Sequence, residues 1–185
     1  MPPIIGDYHR LYPQVKIVLL NRKSEEITQS ILDGEAEIGI GYLAKKNPEI
    51  ISQKIGQAAF LLITEKEQQK KYSQSPATIL KGPFIHFEEG VELRNYIERS
   101  LKLKEGLKII LELPSIEAIL QYIKYGVGSS ILPDFAVAEQ WHKELFTRKL
   151  SNYLTPIVIS AHTHRRRILT KAAEKFRETL LGVED

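Results

Sequence analysis

An α/β fold is predicted by the alternation of strand-like and helix-like periodicity along the chain, by glycines that close the helical runs, and by a composition able to bury a core. The strand-forming run VKIVLL, Val15 to Leu20, precedes Ser24-Glu25-Glu26-Ile27, where Ser24 is placed to cap a helix carrying Ile27 and Ile31 on one face. Gly34 then supplies a helix stop, and Glu37 to Gly41 returns as a short strand. Strand, helix, strand is the βαβ unit of a parallel sheet. With 185 residues, 43% hydrophobic and 26% charged, the chain can form one ordinary domain or two small ones.

Further along, residues 57–64 (QAAFLLIT) predict another apolar strand, and the polar EKEQQKKYSQSP that follows marks a candidate domain crossing. The alternation then resumes. Phe84 to Phe87 is strand-like, Leu93, Ile97 and Leu101 share a helical face, and Lys108 to Leu113 is a strand. Ser115 caps a helix whose Ile116, Ile119, Leu120 and Ile123 form one stripe, and Gly126 stops it. Ser129 to Leu132 is a buried strand closed by Pro133. A looser stretch leads to a last strand, Pro156 to Ser160, and to a final amphipathic helix lined by Ile168, Leu169, Ala172, Ala173, Phe176 and Leu180.

Several function classes are excluded or disfavoured by composition. The absence of cysteine removes disulfides, thiolate catalysis and cysteine-ligated zinc. No apolar run approaches the ~20 residues of a membrane span, and the first residues carry neither a basic nor a long apolar leader, so a cytoplasmic protein without a membrane partner is expected. A net charge of +3, clustered only at Arg165-Arg166-Arg167, is a solvated face and not a nucleic-acid footprint.

Four stretches have the outline of chemistry. Gly39-Ile40-Gly41-Tyr42-Leu43-Ala44 fits Gly-x-Gly-x-x-Ala, but a dinucleotide turn must open directly into a helix, and Lys45-Lys46-Asn47-Pro48 is turn chemistry. These glycines are expected to sit in a strand and admit close neighbours, with no cofactor. Gly126-Val127-Gly128-Ser129-Ser130 is not a nucleophile elbow; a helix stop and tight turn is expected, and no catalytic residue is assigned. His162 and His164, beside three arginines, are expected in an exposed loop between strand and helix and not on a metal. Glu88 and Glu89 before Gly90 belong to a solvated loop at a strand end, a place where ligands also bind.

Two segments together resemble the effector-binding domain of LysR-type transcriptional regulators. The first runs from Leu11-Tyr12-Pro13 through Ser24-Glu25-Glu26-Ile27 to Ile31-Leu32-Asp33-Gly34-x-x-Glu37-Ile38-Gly39-Ile40, with Ala36 and Glu37 replacing the more usual Leu and Asp. The second is Ser115-x-Glu117-x-Ile119 to Ile123-x-x-Gly126-Val127-Gly128-Ser129-Ser130-Ile131-Leu132-Pro133. The resemblance implies a type 2 periplasmic-binding-protein fold: two Rossmann-like subdomains, residues 1–64 with 153–185 and residues 65–152, and a ligand cleft between them. It implies a non-enzymatic domain that senses a small, anionic effector, oligomerises, and reaches DNA only through a domain this chain lacks. Solute-binding proteins of transport systems share the fold, and a small α/β enzyme is the remaining alternative.

Carried over to this sequence, the effector-contact positions are Ser24, Tyr42, the loop of Phe87, Glu88, Glu89 and Gly90, Ser115, and Gly128 in the second motif. For Ser24 and Ser115 the helix N-terminus offers free N–H groups suited to a carboxylate, although both serines could serve as caps alone. Aligned with the family, Met1 to Ile5 falls on the first helix, so the first strand is expected to be missing from between Val15–Leu20 and Glu37–Gly41. The resulting gap is expected to close by rearrangement of the sheet or by a segment of a second copy. A homodimer using the helix near Ile4 to Leu11 is expected beside it.

Overall fold

A computed structural model describes residues 1–42, 46–68, 80–101 and 106–182. The end of the dinucleotide-like motif and most of the polar candidate crossing after residue 65 lie outside them. Contacts divide the chain into two compact units, residues 1–57 with 158–185 and residues 58–157.

The first unit begins with helix α1, Pro2–Leu11, whose prolines occupy the first turn, where no N–H is needed. Helix α2, Ser24–Asp33, ends at Gly34, which takes the left-handed φ of 79°. Strand β1, Gly39–Gly41, pairs antiparallel with the strand Ile157–His164, and the strand Ile50–Ala58 (β2) completes a sheet with that long strand in the centre. A last helix, Lys171–Leu181, is capped by Thr170, whose Oγ1 accepts from Ala173 N at 3.2 Å.

Three side chains bind these pieces together. The Arg167 guanidinium donates to the carbonyls of Ile31 and Leu32 at 2.7 and 3.0 Å in the last turn of α2, where Ile31 O also accepts from Gly34 N at 3.3 Å. Glu37 accepts from Thr170 N and Oγ1 at 2.7 and 3.1 Å, fastening the entry of β1 to the cap of the last helix. Tyr8 is buried and fixes α1 to that same helix: its hydroxyl donates to Ala172 O at 2.8 Å and its ring meets Phe176 edge-on.

In the second unit, β3 (Phe60–Glu65) lies between β6 (Ser130–Pro133) and β7 (Leu145–Lys149), antiparallel to both. Strands β4 (Phe84–Phe87) and β5 (Ile109–Leu113) run parallel, and Ser129 bridges to Phe84. Helices α3 (Glu92–Leu101), α4 (Ile116–Lys124) and α5 (Glu139–Glu144) precede β5, β6 and β7 in turn. Ile63, Ile85, Ile119, Leu120, Ile123 and Trp141 form the centre of its core. In chain order the Ile157–His164 strand is then β8 and the Lys171–Leu181 helix α6.

Several expectations change. Val15 to Leu20 makes no ladder among the described residues, and Val18 and Leu19 are 66% and 68% exposed; β-forming residues make a strand only where a neighbour offers a hydrogen-bonding edge. β1 pairs antiparallel with β8, so the first βαβ unit is not closed in the sheet, and no rearranged strand fills the gap among the described residues. The apolar run at 57–64 is broken at Ala59 into β2 and β3, and β3 joins the second unit because its ladder partners β6 and β7 are there, moving the boundary to residue 57. The looser stretch contains α5 and β7. Ile168, 93% exposed, precedes the last helix instead of lining it.

The glycines of the dinucleotide-like motif have a packing role. A Cβ on Gly39 would lie 2.4 Å from Ile27 Cγ2 and 2.9 Å from Ile31 Cδ1, whereas one on Gly41 would approach only Ile27 Cδ1, at 3.2 Å. Helix α2 therefore rests directly on backbone at Gly39. Gly39→Ala is expected to destabilise the chain by about 1–3 kcal/mol, as overpacking does, and Gly41→Ala by less; thermal or urea unfolding of the two variants checks the order.

Candidate functional site

The predicted contact residues fall at strand ends and helix starts, and each unit brings a set of them together. In the second unit, Phe87 stands opposite Leu113 in the parallel β4–β5 pair, so both strands end at the same level. The loop Glu88 to Gly90 follows the first of these ends, and Ser115, the cap of α4, follows the second. Carboxyl ends of adjacent parallel strands are where α/β sheets place ligands. Ser115 is exposed, and its Oγ accepts from Ala118 N at 3.2 Å, as its capping role requires. Gly90 takes a φ of 81° in open surroundings, a backbone state that favours glycine in this loop. Glu88 and Glu89 are exposed, as expected of a solvated loop.

Phe87 itself points elsewhere. Its side chain is 5% exposed and belongs to the core, leaving its backbone as the part available near the loop. Gly128 is also separate: Ser129 donates to Pro83 O and its own carbonyl accepts from Ile85 N, placing Gly128 at the amino end of β4, away from the loop at its carboxyl end. A Cβ there would lie 2.8 Å from Pro83 O, so close backbone packing explains the glycine.

In the first unit, Ile27 reaches both Gly39 and Gly41 whereas Ile31 reaches Gly39 alone, so α2 runs back along β1 with its amino end toward the carboxyl end of the strand. Ser24 and Tyr42 therefore occupy one end of this unit. Ser24 is not the cap, however. The helix begins on Ser24 with Lys23 as the preceding cap residue, and Glu26 closes the turn by accepting from Lys23 N at 3.1 Å.

Sequence patterns missed the polar residues that hold the loop. Arg94, 7% exposed, donates to Phe87 O, Glu112 Oε1 and Glu98 Oε1, each at 2.8 Å, and approaches Glu89 at 3.9 Å. Its placement three residues before Ile97, on the apolar side of α3, with Glu98 one turn on, was the available signal. Beside it His86 is fully buried, and among the described residues neither ring nitrogen has a hydrogen-bond partner. Burial, and then the Arg94 charge, lower its pKa from 6.5 to about 4, against the opposing pull of Glu98 and Glu112.

The histidine pair expected in an exposed loop is instead in β8. His162 is 2% exposed, with Nδ1 2.8 Å from Ser52 Oγ and Nε2 3.1 Å from Gly41 O, and burial lowers its pKa while the Gly41 carbonyl opposes that shift. It fixes the end of β1 from the β8 side. His164 Nδ1 accepts from Arg166 N and Arg167 N at 3.1 and 3.2 Å, shaping the turn that presents Arg167 to α2.

Because the folded pKa of His86 lies below its ordinary value, the imidazole contributes stability that is fully present above pH 6.5 and lost as pH falls toward about 4. The expected slope is about 1.4 kcal/mol per pH unit within that window. His86→Phe is expected to flatten the pH dependence by close to one proton, read by urea unfolding at several pH values. Arg94→Leu, which leaves Phe87 O and the two carboxylates without their donor, is expected to cost about 2 kcal/mol by the same assay, with Glu98 and Glu112 partly solvated.

Comparison with known proteins gives one family: residues 1–184 match the model described as LysR substrate binding domain. The probable RuBisCO transcriptional regulator of Cyanidium caldarium is 25% identical over 99% of this chain, which spans 61% of that protein's length. The CcmR regulatory domain of Synechocystis PCC6803 in complex with 2-PG superimposes with a TM-score of 0.85 at 20% identity, covering 98% of this chain and 89% of that one. The effector binding domain of QuiR in complex with shikimate gives 0.80 at 13% identity over 98% and 88%.

Proposed function

Since the chain belongs to the LysR substrate-binding-domain family, we propose that it is the effector-sensing part of a transcriptional regulator and that its effector is a small hydroxylated acid. The observation that carries this reading is the family match over residues 1–184. Its chemistry is supported by the second-unit cluster. At the start of α4 the first N–H groups have no helical acceptor, and the helix dipole adds a partial positive charge suited to a carboxylate. Glu88 and Glu89 on the neighbouring loop can accept hydrogen bonds from hydroxyl groups of the same molecule. A ligand with one anionic end and several hydroxyls uses both. Shikimate, held by a protein of the same fold, has that character.

Ser24 and Tyr42 form a second candidate contact in the first unit. Effector binding would act by shifting the balance between conformations of a larger protein, with DNA contacted by a separate domain and α1 forming part of a homodimer interface. Solute transport, the rival of the same fold, has no specific observation in its favour.

Calorimetric titration with shikimate and related hydroxy acids tests the reading, using Ser115→Asp as the discriminating variant. Asp keeps the helix cap, so stability is expected to hold, but its carboxylate fills the anion position and binding is expected to fall at least tenfold. Silence across the acids, or an Asp variant that binds as the parent does, overturns the proposal.

A further inference from the structure

Gly41 closes β1, and the next residue is Tyr42, the candidate contact of the first unit. Having no side chain, Gly41 is held through its backbone alone. In the ladder with β8 it faces Ser160, whereas Gly39 faces His162. Opposite residues of an antiparallel pair share a face, and Gly39 puts no side chain on it, so the imidazole of His162 can run along β1. It reaches the carbonyl two residues on: Nε2 is 3.1 Å from Gly41 O.

Elementary chemistry fixes the state of this ring. A carbonyl oxygen only accepts, so Nε2 carries the proton and donates to Gly41 O. In the neutral ring Nδ1 then holds the lone pair, and the Ser52 hydroxyl, 2.8 Å away, donates to it. Burial lowers the pKa of His162, which favours the neutral ring that this arrangement uses. Hydroxyl, imidazole and carbonyl thus form one directed chain, from the exposed Ser52 on β2 to the last carbonyl of β1.

The second unit repeats the device. Arg94 donates to Phe87 O, the last carbonyl of β4, and the residues that follow are the Glu88–Gly90 loop. Both strands that lead into candidate contact residues therefore end on a carbonyl held by a buried nitrogen donor from another element. A strand end anchored in this way sends the next residue in one direction, which is what a preorganised contact requires. Taking Tyr42 as the effector contact proposed above, we propose that His162 is its positioning residue: through Gly41 O it sets the direction of Tyr42 and so the affinity for the effector, with Ser52 holding the ring.

Long-range 15N NMR at neutral pH is expected to show His162 as the Nε2–H tautomer; the Nδ1–H tautomer overturns the proposal. His162→Gln supplies an amide N–H for Gly41 O and a carbonyl oxygen for Ser52. It is expected to keep the Tyr42 ring signals, assigned with Tyr42→Phe, and the calorimetric affinity for shikimate close to those of the parent. His162→Leu removes the donor and is expected to move those signals and weaken binding roughly fivefold, while the amides of Glu88 to Gly90 stay in place. Should the Leu variant fail to fold, Ser52→Ala at its exposed site is read in the same way, with Ser52→Thr expected to restore the parent signals. Tyr42 signals that stay in place in both, or a Gln variant as impaired as Leu, overturn the proposal. So does unchanged affinity beside moved Tyr42 signals. Silence of the parent chain toward shikimate and related acids defeats the effector reading by itself, and the Tyr42 signals then decide the positioning role.

Discussion

Contact between α2 and the backbone of β1 sets the geometry of the first unit. Because Gly39 has no side chain, Ile27 and Ile31 reach the strand itself, and the approach is closer there than at Gly41. Everything at that end depends on this approach. It brings Ser24 and Tyr42 to one end, and β1 is fixed from behind by β8 through the His162 contacts to Gly41 and Ser52. Arg167 then holds the far end of α2, and Glu37 ties β1 to the cap of α6. Apolar packing brings the elements together, while these few charged contacts give them one register and supply partners for carbonyl and N–H groups that helix ends leave open.

The second unit solves a similar problem with a buried cation. Arg94 takes the place of an apolar side chain on α3 and uses it to hold Phe87 O, the last carbonyl before the Glu88–Gly90 loop. The cost of burying a guanidinium is offset by two carboxylates that remain partly in water. Burial first, and the Arg94 charge beside it second, disfavour a charged His86, so acid is expected to weaken the region next to the candidate ligand loop.

Much of the second unit was legible in the sequence because its signals are local. Ser115, the Ile119–Leu120–Ile123 stripe and Gly126 each specify a cap, a face and a stop within one helix, and the structure contains them as α4. The parallel pairing that brings Ser115 beside Glu88 to Gly90 was implied by family resemblance and not by any spacing, since the two stretches are more than twenty residues apart in sequence. Arg94 was visible as a charge on an apolar face, but its partners Glu112 and Phe87 O come from other strands, and no periodicity links them.

By itself the sequence determined the α/β class, most helix starts and stops, and the glycines that allow close packing, because these depend on backbone conformation and side-chain volume within a few residues. Tertiary structure decided which apolar runs became strands. VKIVLL has strong β-forming character and stays outside the sheets because a strand exists only when another backbone meets its N–H and C=O groups, whereas LFTRK, Leu145 to Lys149, with a weaker pattern, is paired along its length with β3. Tertiary structure also decided that His162 is buried and that Arg167 ends a helix 130-odd positions away in sequence: each needs a partner delivered by a different part of the chain, and local sequence carries no measure of that distance.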